Sequence, residues 1–288
     1  MIDERVRAAG EVVGKAPEAV LEQLRMVAGE LRDPTLFTDA EARTFGMRVD
    51  FPDDEWVARR ASTLEHAISG SKALAQVAVA RRGTIRAERG IGAEGRPAIG
   101  MAGVFTSVII TGPGSLDDDL VVARAIGFST VIDAVAARLR HLEPDVLVVP
   151  RQLRTIVYSA GAGEDTELEL GVRATIETFD RIVRNATELG LSPADLAWLD
   201  ALYPQPLSGA PLWVRVGATL AEPRRGLTLV FGAQSTGSAI ELVRQLAPTA
   251  EAKFERWFDA TGAPGIRTIE LSLGGPKPIA WIGADVRA

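Results

Sequence analysis

From Leu212 to Leu220 the chain alternates strictly. Leu212, Val214, Val216, Ala218 and Leu220 fall on one face of an extended segment, and Trp213, Arg215, Gly217 and Thr219 fall on the other. The run GLTLVFGA follows across Ala221-Glu222-Pro223-Arg224-Arg225, so 211–233 reads as an antiparallel hairpin. A second hairpin spans 266–286, where IRTIELSL and PIAWIGADV meet at Gly274-Gly275-Pro276-Lys277. There Thr268, Glu270 and Ser272 oppose Arg267, Ile269, Leu271 and Leu273, and Trp281, Gly283 and Asp285 oppose Ala280, Ile282, Ala284 and Val286. Helical periods near 238–246 and 249–260 separate the hairpins, and helices over 170–189 and 193–202 precede the first.

The first half is less regular. Apolar positions at intervals of three and four predict a helix over Pro17–Leu31. MRVDF reads as a strand, and Asp53 caps a second helix running to Ile68. The alanine-rich stretch 74–82 is strand-like, and glycine recurs too often between 83 and 103 for a regular element. VFTSVIIT (104–111) is a buried strand, after which Gly112-Pro113-Gly114-Ser115 turns into one long helix over 116–142. DVLVVP and LRTIVYS read as strands joined at Arg151-Gln152, the second placing Arg154, Ile156 and Tyr158 on one face. The fold class is α+β: repeated helix-pair and antiparallel-hairpin units in a single domain over 1–288. The sheet is either open or closed into a barrel ringed by helices.

Composition narrows the chemistry. The 288 residues contain no cysteine and two histidines, His66 and His141, which excludes disulfide scaffolds, thiolate metal sites and cysteine nucleophiles. A net charge of −6 argues against a nucleic-acid partner. No apolar run approaches the ~18 to 20 residues of a membrane span, and the charged start MIDERVRAAG does not suit a secretory signal, so a cytoplasmic protein is expected. Lysine occurs only at 15, 72, 253 and 277 among many arginines, a usage typical of a high-GC bacterial genome. Gly90-Ile91-Gly92-Ala93-Glu94-Gly95 matches the dinucleotide fingerprint, but Arg96-Pro97 follows where that motif needs a helix, and no cofactor is expected. Asp117, Asp118 and Asp119 fan out by about 100° each on a helix, too widely for one cation, so no metal is expected either. They complement the helix dipole instead.

The polar strand faces carry the remaining candidates. Trp213 and Trp281 share them with Arg154, Tyr158, Arg215, Glu270 and Asp285, and large aromatics are wasted in bulk water. Such a face suits a shielded cavity or a protein interface. The segments LWVRVGATLAEPRRGLTLVFGA, STGSAIELVRQLAPTAEAKFERWFDATG and IRTIELSLGGPKPIAWIGADV, in that order over the last third, resemble aromatic prenyltransferases of the ABBA, or PT-barrel, type. The resemblance implies a bacterial enzyme of secondary metabolism that moves a prenyl group from an isoprenoid diphosphate to a small aromatic acceptor. It implies that Arg48, Arg154 and Arg215 grip the diphosphate, that Tyr158, Trp213 and Trp281 shield the allylic cation, and that Glu270 or Asp285 orients the acceptor. The alternative is a non-catalytic protein, oligomeric or partner-binding, whose tryptophan-bearing sheet face is an interface. A closed cavity with clustered guanidiniums favours the enzyme, and an open flat sheet favours the interface.

Overall fold

The computed structural model describes residues 2–18, 20–22, 34–50, 84–92, 103–143, 149–160 and 163–286. Among the described residues ten strands are ordered β1 (Thr35–Asp39), β2 (Phe45–Asp50), β3 (Thr84–Gly92), β4 (Gly103–Gly114), β5 (Val149–Ala160), β6 (Gly163–Arg173), β7 (Trp213–Thr219), β8 (Thr228–Phe231), β9 (Ile266–Ser272) and β10 (Ile279–Asp285). Neighbours in sequence pair antiparallel, and β1 pairs with β10, so the sheet closes into a barrel. Around it lie α1 (Ile2–Val13), α2 (Leu116–Ala125), α3 (Ile132–Arg140), α4 (Thr178–Arg184), α5 (Pro193–Leu202), α6 (Thr236–Leu246) and α7 (Glu251–Thr261). None of the described helices is long and apolar enough to cross a membrane.

The period of two divides every strand between two environments. Met47, Leu153, Leu168, Leu170, Val214, Val216, Leu271 and Ile282 point outward into one core shared with the helices. Phe37, Ile156 and Trp281 form a separate cluster inside the barrel. A closed sheet has no open edge, and it turns the polar faces toward one another across the lumen. Trp213 and Trp281 are thereby 7% and 6% exposed, so the interface reading loses its surface.

Both C-terminal hairpins form as read, as do α6 and α7 between them and α5, which precedes the first over the expected residues. Four expectations fail. The single helix over 116–142 is two, because Gly127 adopts φ 103° and lets Phe128 N–H close back on Ala123, a left-handed stop that a side chain would resist. The helix over 170–189 shrinks to α4, since Leu168 and Leu170 alternate with Glu167 and Glu169 in β6 and pair with β5 and β7. No joint exists at Arg151-Gln152, where β5 runs straight through and pairs with β4 and β6. The glycine-rich stretch contains β3, paired residue by residue with β4. The helix ending at Ile68, the stretch 74–82 and His66 lie outside the described residues, as do most of the helix from Pro17 and of DVLVVP, and the fingerprint beyond Gly92.

Candidate active site

The arginines nominated from the sequence converge on one carboxylate. Arg48 Nη2 lies 2.6 Å from Glu270 Oε1, while Arg154 Nη1 and Arg215 Nη1 lie 3.0 and 3.1 Å from Glu270 Oε2. These residues come from β2, β5, β7 and β9, which meet only across the lumen. Two of the guanidiniums are aimed by a second partner. Arg154 Nε donates to Ser107 Oγ at 2.8 Å and Arg215 Nε donates to Gln152 Oε1 at 2.8 Å, whereas the Arg48 side chain is 11% exposed.

The cluster is larger than the sequence reading foresaw. Glu167 and Glu169, on the inward face of β6, are both fully buried. Arg224, from the β7–β8 connection, pairs with both, reaching Glu169 Oε1 at 3.0 Å, and its Nη2 donates to Thr228 Oγ1 at 2.8 Å. Burial holds the Arg215 guanidinium below its ordinary range; the charge of Glu270 opposes that shift and Arg154 adds to it. Strict Glu-Leu-Glu-Leu alternation at 167–170 was the signal for β6. Nothing in the turn sequence distinguishes Arg224 from its neighbour Arg225.

An apolar patch adjoins the charges. Trp281 stands opposite Glu270 in the β9–β10 register, and Ile156 follows Arg154 on the same face of β5. Phe37 completes the patch, edge-on to Trp281 with ring centroids 5.6 Å apart. Gly46 makes room for it, since a Cβ there would overlap the Phe37 ring. Gly46→Ala is therefore expected to displace Phe37 and to cost about 1–3 kcal/mol in denaturant unfolding, with a change in Trp281 fluorescence.

The other nominated residues lie elsewhere. Trp213 is capped by Arg173, whose Cζ sits 5.6 Å from the ring centroid. Asp285, at the end of β10, accepts from Thr35 Oγ1 at 2.8 Å and from Arg267 Nη1 at 3.0 Å. A bulge between Gly283 and Ala284 turns Arg267 to that side, against the alternation expected for it. Tyr158 is in β5 opposite Phe105 and Asp165, and its side chain lies outside the described residues. The three aspartates also separate: Asp118 closes a capping box with Ser115, while Asp119 is buried against Arg151.

A cavity of about 320 Å³ opens at the end of the barrel formed by the β7–β8 and β9–β10 connections. Arg224, Arg225, Lys277 and Ser272 line it together with Ile279, which also packs against the aromatic patch. This mouth is braced from the helices. Arg138 of α3 donates to the carbonyls of Arg224, Gly226 and Leu189, and its burial, with Arg224 nearby, lowers its pKa to about 10. Asp195 of α5 accepts from Gly274 N–H at 2.8 Å.

No protein-family model matches the sequence, and no curated protein matches it. Solved structures do. A 6-dimethylallyl tryptophan synthase superposes with a TM-score of 0.65 at 12% identity, covering 98% of this chain and 94% of its own. The 5-dimethylallyltryptophan synthase from Streptomyces coelicolor gives 0.62 at 14% identity, covering 98% and 95%. The prenyltransferase PriB, in its ternary complex with L-tryptophan and dimethylallyl thiolodiphosphate, gives 0.59 at 12% identity, covering 98% and 94%. Over nearly its whole length, the chain has the helix-ringed antiparallel barrel fold of aromatic prenyltransferases.

Proposed function

We propose that this protein transfers a prenyl group from an isoprenoid diphosphate to a small aromatic acceptor inside the barrel. One observation carries the reading: three arginines, Arg154 and Arg215 buried and Arg48 nearly so, converge on Glu270 directly beside the patch of Phe37, Ile156 and Trp281. Loss of diphosphate leaves an allylic cation, and the two products of that cleavage need opposite surroundings. Arginine presents planar, permanently charged forks to phosphate oxygens, so Arg48, Arg154 and Arg215 stabilise the leaving anion. The faces of Trp281 and Phe37 stabilise the cation and exclude water from it. Glu270 stands at the boundary between the two, opposite Trp281, and serves as the carboxylate that orients the acceptor. Asp285, held by Thr35 and Arg267, has the weaker claim to that role. Trp213, with the Arg173 guanidinium over its ring, is a further aromatic candidate for shielding the cation.

Incubating the protein with dimethylallyl diphosphate and a panel of indoles, phenols and naphthols is expected to yield a product heavier by one isoprene unit, with release of diphosphate. Trp281→Ala is expected to lower kcat at least tenfold while diphosphate binding persists. A protein that binds no diphosphate, or binds it and prenylates none of the panel, would overturn the assignment.

A further inference from the structure

Glu169 and Glu270 each present one oxygen to the same two nitrogens. Arg154 Nη1 lies 3.2 Å from Glu169 Oε2 and 3.0 Å from Glu270 Oε2, and Arg215 Nη1 lies 3.6 and 3.1 Å from the same oxygens. Two carboxylates and two guanidiniums thus alternate around a closed ring, with both carboxylates out of water at 0% and 2% exposure. Among the described residues, the charges facing this ring are Arg48 from β2, on Glu270 Oε1, and Arg224, on Glu169 Oε1 and on the neighbouring Glu167 of β6. Arg86 of β3 shares the register row of Arg154 through Ile109. The neutral groups Ser107 and Gln152 hold the Nε atoms of the two ring arginines.

We infer that Glu169 and Glu270 are a proton-sharing pair, which takes up one proton when an anionic ligand occupies Arg154 and Arg215. The inference rests on the arginine cluster being the diphosphate site. In the closed ring, each carboxylate stays ionised because three guanidiniums touch it, Arg154 and Arg215 on both, with Arg48 on Glu270 and Arg224 on Glu169. A ligand oxygen bound to those guanidiniums competes for their N–H donors and adds negative charge to a space that water does not screen. Two carboxylates that each lose two of their three cations to a third anion are costly to keep ionised together, so one proton from solvent settles on the pair. The other carboxylate remains ionised beside the Trp281 patch. Glu169 thereby acquires a role in the site: it is the partner that shares a proton with Glu270 once Arg154 and Arg215 turn to the ligand, while Arg48 and Arg224 stay on the outer oxygens.

Methanedisulfonate is a suitable probe, since it resembles a diphosphate in charge placement and does not itself titrate near neutrality. Uptake of one proton per ligand makes its Kd fall as the pH is lowered, by about tenfold per unit wherever the free pair is ionised and the bound pair holds the proton. Glu169→Gln is expected to retain binding at the lower pH and to flatten this dependence. Calorimetry of the unaltered protein in buffers of different ionisation enthalpy reads the same proton without any variant, so poor folding of Glu169→Gln would not prevent a decision. Binding with no proton uptake, or an undiminished slope in Glu169→Gln, would overturn the pair while leaving the anion site standing. Failure to bind both methanedisulfonate and pyrophosphate would overturn the anion site and the pair with it.

Discussion

Glu270→Ala is expected to lower the free energy of unfolding by about 3–5 kcal/mol in phosphate-free buffer, the range for removing one partner of a buried ionic cluster. Its carboxylate is the common partner of Arg48, Arg154 and Arg215, and among the described residues Glu169 and Glu167 are the carboxylates that otherwise pair with Arg154, Arg215 and Arg224. The unusual part of the expectation is its remedy. Pyrophosphate at a hundredfold excess over its Kd stabilises a folded protein by about 2.7 kcal/mol, and here it should restore the variant more than it stabilises the parent, because the native competitor for the arginines is gone. Thermal unfolding with and without pyrophosphate measures both effects. Equal gains for parent and variant would show that the anion and Glu270 do not use the same donors. At Arg215, too, stability and binding are joined. It is 2% exposed and holds Glu270 and Gln152 together, so truncating it disturbs folding as well as ligand affinity.

Gly226→Ala is expected to cost about 3 kcal/mol and to distort the mouth of the barrel. Gly226 has φ 72°, which an L residue adopts at a cost of roughly 1–2 kcal/mol, and a Cβ there would also overlap the Leu273 carbonyl and the Gly274 backbone. Gly209 supplies a matched comparison, with φ 73° and nothing within 4 Å of an added Cβ. Its alanine variant should show the conformational cost alone, roughly 1–2 kcal/mol. Denaturant unfolding of the two variants separates strain from packing. Equal losses would mean that the two hairpin connections do not meet at the mouth as described.

What the sequence disclosed depended on how local the signal was. The β7–β8 and β9–β10 hairpins are legible because alternation and turn chemistry lie within a few residues of each other, and they placed Arg215, Glu270 and Trp281 on one side. Alternation places Arg154 on its strand face and Arg48 could be nominated only through resemblance, while the meeting of both with Glu270 is made by barrel closure. Glu167 and Glu169 were lost with β6: glutamate and leucine are good helix formers, and the run enters a true helix at Thr178, so the helical period masked the strand. The reverse happened at 116–142, where good helix formers on both sides of Gly127 concealed the break. Arg224 was out of reach because a turn arginine ordinarily faces water, and only the inward approach of Glu167 and Glu169 recruits it.

Closure of the barrel through β1 and β10 also governs how the molecule comes into being. Arg48 and Glu270 are separated by 222 positions, and Thr35 and Asp285 by 250. Contacts of such long sequence separation lose the most chain entropy on forming, which makes topologies of this kind slow to fold. During synthesis the arginines of β2, β5 and β7 emerge well before β9 delivers Glu270, and the free edge of β1 waits for β10. Until then the nascent chain exposes an unpaired strand edge and a surplus of guanidiniums, both of which attract unintended partners. The lumen is thus the last part of the molecule to exist, and substitutions at β9 and β10 should reduce the yield of folded protein from cells more than equivalent changes in the early strands.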